Sequence, residues 1–133
     1  MMTLEQAREY FKGDRFAVET AGITIESVGE EGAVCRLRVT AKHLAAHGGV
    51  MGGALFTLAD FAFAVAANAC GVLTVTTESS IRFLGRAKDD TLTATCVPVH
   101  TGKRTCVYET RITDGQGTLV ALVTASGMRM ETR

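Results

Sequence analysis

The sequence predicts an α+β fold in which one antiparallel sheet wraps a single long, buried helix. Three observations carry this. Residues 43–71, HLAAHGGVMGGALFTLADFAFAVAANACG, open on two glycine pairs and then run almost wholly apolar. A helix apolar on nearly every face has to be buried. Ahead of it, Ala33, Cys35, Leu37 and Val39 alternate with Arg36 and Arg38, the period of a strand with one buried face. Behind it come four runs rich in β-branched residues, strands that need an apolar element to cover.

The elements follow in order. Thr3 and Gln6 are spaced as a capping box, and Leu4, Ala7, Tyr10 and Phe11 form the apolar stripe of a short helix ending near Gly13. Asp14 to Gly22 reads as an irregular link. Ile23–Val28 and Ala33–Val39 form a hairpin around the turn Gly29-Glu30-Glu31-Gly32. In the central helix Leu55, Ala59, Ala62 and Ala66 offer a close-packing side, and Leu58, Phe61 and Val65 fill the concavity of the sheet. The remaining runs, Thr74–Leu84, Thr91–Thr101, Thr105–Thr113 and Thr118–Met130, are expected as a four-strand antiparallel meander, with Asp114-Gly115 as its last turn. No repeat or linker interrupts the 133 residues, so a single domain is expected.

Composition excludes several classes. Fourteen acidic and 14 basic residues balance, which speaks against nucleic acid as a partner. Val50 to Ala67 is long enough to suggest a membrane span. Asp60 would then lie near the bilayer centre, at a cost of about 2.5–3.5 kcal/mol, and the flanking strands need the helix themselves, so no membrane association is expected. Cys35, Cys70, Cys96 and Cys106 are widely spaced among apolar neighbours with no CxxC pair. They read as reduced core residues, and with a polar N-terminus a cytoplasmic protein is expected.

Asp60 is the one carboxylate of the apolar segment, about two helical turns past Gly52 and Gly53. Such a group is either satisfied structurally or kept for chemistry. A helix start supplies unpaired N–H groups, and glycine lets a ligand approach them closely. A carboxylate and an anion-binding helix start together suit acyl transfer.

The segment HGGVMGGALFTLAD and the later run IRFLGRAKDDTLTA resemble the hotdog-fold thioesterases. The phenylacetic-acid-degradation branch of the 4-hydroxybenzoyl-CoA thioesterase superfamily matches best, from about Arg15 to Met130. The resemblance implies a homodimer joined edge to edge, commonly a dimer of dimers, with acyl-CoA as substrate, sites between subunits and no metal or redox cofactor. It implies that Asp60 is nucleophile or general base and that the Gly52 N–H polarises the thioester carbonyl. Gly53 permits close helix–sheet packing on this reading. Two positions depart from the family pattern: Ala45 stands where Asn is frequent, and Met51 where His is usual. His47 is a candidate replacement for one of these groups.

Thr76 aligns with a site-facing strand position, and alternation would set Glu78 on the same face to orient water; a plain polar strand face is the alternative. Arg82, Arg86, Lys88, Lys103 and Arg104 are candidates for the CoA phosphates, or solvated surface residues. Phe56, Phe63 and Phe83 line an acyl pocket or pack the core. Asn68 caps the helix end or approaches the acyl group. His43 and His47 are four apart, but glycines disfavour a helix there and no third ligand follows, so no metal site is expected. The expected function is hydrolysis of an aryl-acetyl, aryl or medium-chain acyl-CoA to acid and CoA. The alternatives are a non-catalytic acyl-CoA sensor and, further off, an enoyl-CoA hydratase, which would want a His beside Asp60.

Overall fold

The longest helix, α2 (Gly52–Asn68), is built from Ala, Leu and Phe with few β-branched residues, and ten of its side chains are buried. A computed structural model describes residues 1–132. The helix stops at Asn68, whose amide donates to the Ala64 carbonyl (2.9 Å) and whose oxygen accepts from the Thr74 N–H (2.8 Å). Gly71 follows with φ +92°, a left-handed turn that glycine adopts without strain. The Asn68 side chain thus ties the end of α2 to the strand that follows, as a cap does.

Six strands form one antiparallel sheet around α2: β1 (Thr24–Gly29), β2 (Gly32–Arg38), β3 (Val72–Phe83), β4 (Thr91–Thr101), β5 (Thr105–Asp114) and β6 (Leu119–Thr132). Their spatial order is β1-β2-β4-β5-β6-β3. This corrects the expected four-strand meander. Only β4, β5 and β6 run as neighbours, and β3 pairs with β6 at the far edge. Residues 84–90 then carry the chain across so that β4 enters beside β2. Strand periodicity specifies which face is buried, not which neighbour is paired.

The predicted α1 (Leu4–Tyr10) begins with Thr3 and Gln6 bonded reciprocally as a capping box, and a 3₁₀ turn continues it to Gly13. The link after it is not irregular. Phe16–Thr20 form a π-helical turn closed by the Ala21 N–H on the Phe16 carbonyl at 2.8 Å. At the β1–β2 turn Gly32 has φ +123°, and a Cβ there would collide with the Cys96 carbonyl.

The core lies between α2 and the sheet. Leu58, Ala62, Phe63 and Val65 on the helix meet Leu37, Leu92, Ala94 and Ile112 on the strands, all at most 1 % exposed. Full burial of each large apolar side chain is worth about 1.5–3 kcal/mol. Cys35 and Cys96 lie in this core, where burial pushes their thiols up to about 12 and about 11 respectively. Cys106 is buried too, but Cys70, expected in the core, is exposed just past the helix although its neighbour Ala69 is buried. Among the described residues no helix is long and apolar enough to cross a membrane.

Candidate functional site

Asp60 stands on the face of α2 turned away from the sheet. It lines a cleft of about 410 Å³ with Phe56 and Thr57 of the same helix and with Asp14, Arg15 and Phe16 from the π-helical turn and its approach. Solvent reaches the carboxylate from the cleft mouth, while the walls thin its hydration. Partial burial, and then the like charge of Asp14, hold its pKa above the ordinary 3.8. Desolvation raises Asp14 too. Arg15 does not neutralise either group, because it forms a two-pronged pair with Glu19 at 2.9 and 3.1 Å. Among the described residues, no hydrogen bond or ion pair engages the Asp60 carboxylate. A carboxylate left hydrated, basic and unpaired is suited to accept a proton or attack a carbonyl.

Asp14 was not singled out in the sequence. It lies far from Asp60 along the chain, and an acidic residue in a link carries no signal of its own; only the fold of the link over α2 brings the two into one cleft.

Gly52 lies elsewhere. As the first residue of α2 it follows Met51, whose side chain gives no cap, so the leading N–H groups lack intrahelical partners. It lines a second cleft of about 480 Å³ with His47, Gly49, Phe83 and Arg86. The Phe83 ring lies on the Gly52 backbone, so that a Cβ at this position would come within 3.0 Å of it. His47 accepts the Gly49 N–H through Nδ1 at 3.2 Å, and the Arg86 guanidinium lies beside the Gly48–Gly49 turn. Eight residues along a helix separate Gly52 from Asp60 by about 12 Å in rise and some 80° in rotation. The two groups therefore open into different clefts of one chain.

Other expectations fare differently. Gly53 is exposed, and a Cβ there would meet nothing within 4 Å. It does not serve helix–sheet packing, since it faces a third cleft, of about 380 Å³, that also holds Met51 and Lys42. Thr76 pairs with the buried Gly127 on the helix-facing side, but Glu78 pairs with Ser126, the next residue along. The two do not share a face, because a bulge at Thr77 inserts one residue and inverts the alternation. Arg82 points with Glu78 to the outer face of the sheet. Lys103 and Arg104 sit in the β4–β5 turn, level with Val75 of β3, whereas Arg86 follows Phe83. Eight residues of strand, about 26 Å, separate these charges within one chain, so they form no single cluster there.

Of the aromatic candidates, Phe63 is core, edge-on to Tyr108 at 5.3 Å, while Phe56 and Phe83 reach the clefts. His43 is buried with both ring nitrogens engaged: Nδ1 accepts the Thr40 N–H at 2.9 Å and Nε2 donates to the Ala21 carbonyl at 2.7 Å. Ala45 offers only backbone, bonded to the Gly49 carbonyl at 2.7 Å.

The family model of the thioesterase superfamily matches residues 47–121, more than half of the chain and the whole span from the glycine pairs to β6. The chain belongs to the thioesterase superfamily. Its fold is the hotdog fold. It is 39 % identical to the acyl-coenzyme A thioesterase PaaI of Escherichia coli over 95 % of this chain and 90 % of that one. The structure of the E. coli PaaI protein from the phenylacetic acid degradation operon superposes with a TM-score of 0.84, covering 98 % of both chains at 35 % identity. A hypothetical thioesterase of Streptococcus pneumoniae, solved with coenzyme A, gives a TM-score of 0.85 at 31 % identity over 92 % of this chain and 98 % of that one.

Proposed function

We propose that the protein is an acyl-CoA thioesterase whose site is completed by two copies of the chain. The observation that carries the reading is Asp60: an unpaired, basic carboxylate on the open face of α2, in a chain whose relatives include an acyl-coenzyme A thioesterase. Asp60 of one copy meets the Gly52 N–H of its partner, since one chain holds them in separate clefts. Ionised Asp60 either takes a proton from water as that water adds to the thioester carbonyl, or adds to the carbonyl itself and is released by water. The carbonyl oxygen gains negative charge against the Gly52 N–H and the positive end of the helix, a contribution on the order of 3 kcal/mol. The C–S bond then breaks. With Asp60 as base, CoA leaves as a thiol carrying the proton taken from water. With Asp60 as nucleophile, it leaves as a thiolate, and the water that hydrolyses the acyl–Asp60 anhydride to the free acid supplies the proton. Thr76, on the helix-facing side of β3, is a candidate to orient the water, and Arg86 with His47 to contact the CoA moiety. A homodimer, paired again into a tetramer and working in the cytoplasm, completes this reading.

The test is thiol release from a panel of acyl-CoA thioesters by wild type and Asp60→Asn. Turnover in wild type, reduced at least about a hundredfold in the folded variant, is expected. Tight acyl-CoA binding without thiol release would instead identify a sensor, in keeping with the apolar residues at Ala45 and Met51.

A further inference from the structure

The cleft beside Asp60 has a wall that the reaction as described does not use. Phe16 is 66 % exposed, the most exposed large apolar side chain among the described residues. Phe56, one helical turn before Asp60 on the same face of α2, is exposed as well, and the two aromatics line the same cleft as the carboxylate. Phe16 also borders the neighbouring cleft at Met51 and Gly53, so its ring stands on the ridge between them. The backbone that presents it is the π-helical turn Phe16–Thr20. Such widened turns are rare and are frequently found at functional sites. Here the turn is anchored on both sides: Ala17 is buried, and the Ile23 N–H bonds the Ala17 carbonyl at 3.0 Å. The aromatic ring is therefore held out over the cleft by a fixed backbone.

Resting on the thioesterase reading, we propose that Phe16 is a specificity-determining residue: with Phe56 it holds the apolar acyl group of the thioester against Asp60. The apolar walls give an acyl chain or ring a surface to bury, while the carboxylate at their edge meets the carbonyl carbon. The contact is made by the acyl end alone, so it discriminates among acyl groups without touching the CoA moiety.

The test compares wild type, Phe16→Ala and Phe16→Leu on acetyl-, hexanoyl- and benzoyl-CoA, with inhibition by free CoA measured alongside. In Phe16→Ala, kcat/KM for hexanoyl- and benzoyl-CoA falls about tenfold or more, through KM, and for acetyl-CoA by no more than about twofold. Inhibition by free CoA and the assembly state are unchanged. Phe16→Leu recovers hexanoyl-CoA more than benzoyl-CoA. A uniform loss across the panel, or a loss that tracks dissociation of the assembly, overturns the assignment and makes Phe16 an interface residue. An unchanged acyl preference overturns it too. Wild-type protein inert towards every thioester rejects the thioesterase reading, and the Phe16 assignment with it; an active wild type with any of the other adverse results rejects Phe16 alone.

Discussion

Asp60 carries two costs that its proposed role explains. Burial and the neighbouring Asp14 both favour its neutral form, so ionising it in the folded protein is harder than in the unfolded chain. Because the folded pKa is raised, the stabilisation is present below the unfolded value and lost as pH rises through the folded one. Asp60→Asn should therefore leave the melting temperature at pH 7 equal to or above that of wild type even as turnover collapses, a combination calorimetry and the thiol assay check together. Activity needs the ionised form, so it falls as pH drops through the raised pKa. Asp14→Asn removes the second cause of that rise. Its acid limb of kcat/KM should shift to lower pH, with the two enzymes converging near pH 8. A limb that stays in place would show that Asp14 does not reach Asp60. Gly52 permits a sharper separation. Met51 is extended (ψ 135°) and Gly52 is the first helical residue, a position proline favours after an extended neighbour. Gly52→Pro deletes the N–H at little cost to the helix and should lower kcat about 10²–10³-fold. Gly52→Ala adds only a Cβ against the movable Phe83 ring, keeps the donor, and should retain most of the rate.

At the level of elements, much was legible. The buried helix, its Asn68 end, the α1 capping box and six strands follow from periodicity and turn residues, and their observed limits differ by a residue or two. What the sequence hid were interruptions of that regularity. The bulge at Thr77 changed which face Glu78 occupies, and no residue type marks it. The π-helical turn at Phe16–Thr20 looked like a link because five residues are too few to show a period. The placement of β3 beside β6 depends on tertiary pairing rather than on either strand alone. The β5–β6 turn was predicted from Asp114-Gly115, but its strength was not. Asp114 is a buried carboxylate that accepts three backbone N–H groups: Lys88 at 2.8 Å, and Gln116 and Thr118 each at 2.9 Å. It thereby pins the 84–90 crossover to the turn. These bonds, that of Lys88 foremost, depress its pKa. The stabilisation is thus present above the unfolded carboxyl value and lost as pH falls through the lower folded one. Asp114→Ala should melt several degrees below wild type at pH 7, and the gap should close in strong acid.

Across the whole molecule the two sheet edges differ. On the β1 side, Arg8 of α1 occupies the Ile25 carbonyl at 2.8 and 3.0 Å. The opposite edge, β3, is 12 residues long and pairs only with β6. A long, open edge invites another strand, and a two-fold axis there would make one continuous sheet from two chains. That arrangement answers the main puzzle of the single chain, in which Asp60 and Gly52 face different clefts. In the proposed dimer a two-fold partner would contribute the missing half to each of two equivalent sites. The consequence is measurable. Asp60→Asn and Gly52→Pro, each nearly inactive alone, should regain activity when unfolded together and refolded as a mixture. In a mixed dimer one site carries both defects and the other carries neither. Random pairing makes half the dimers mixed, so about one quarter of wild-type activity should return. If both groups instead acted within one chain, every site would remain defective and mixing would restore nothing. The same mixture run through size-exclusion chromatography with light scattering should show a mass of at least twice 14.1 kDa, and dilution that separates the copies should abolish the recovered activity along with the assembly.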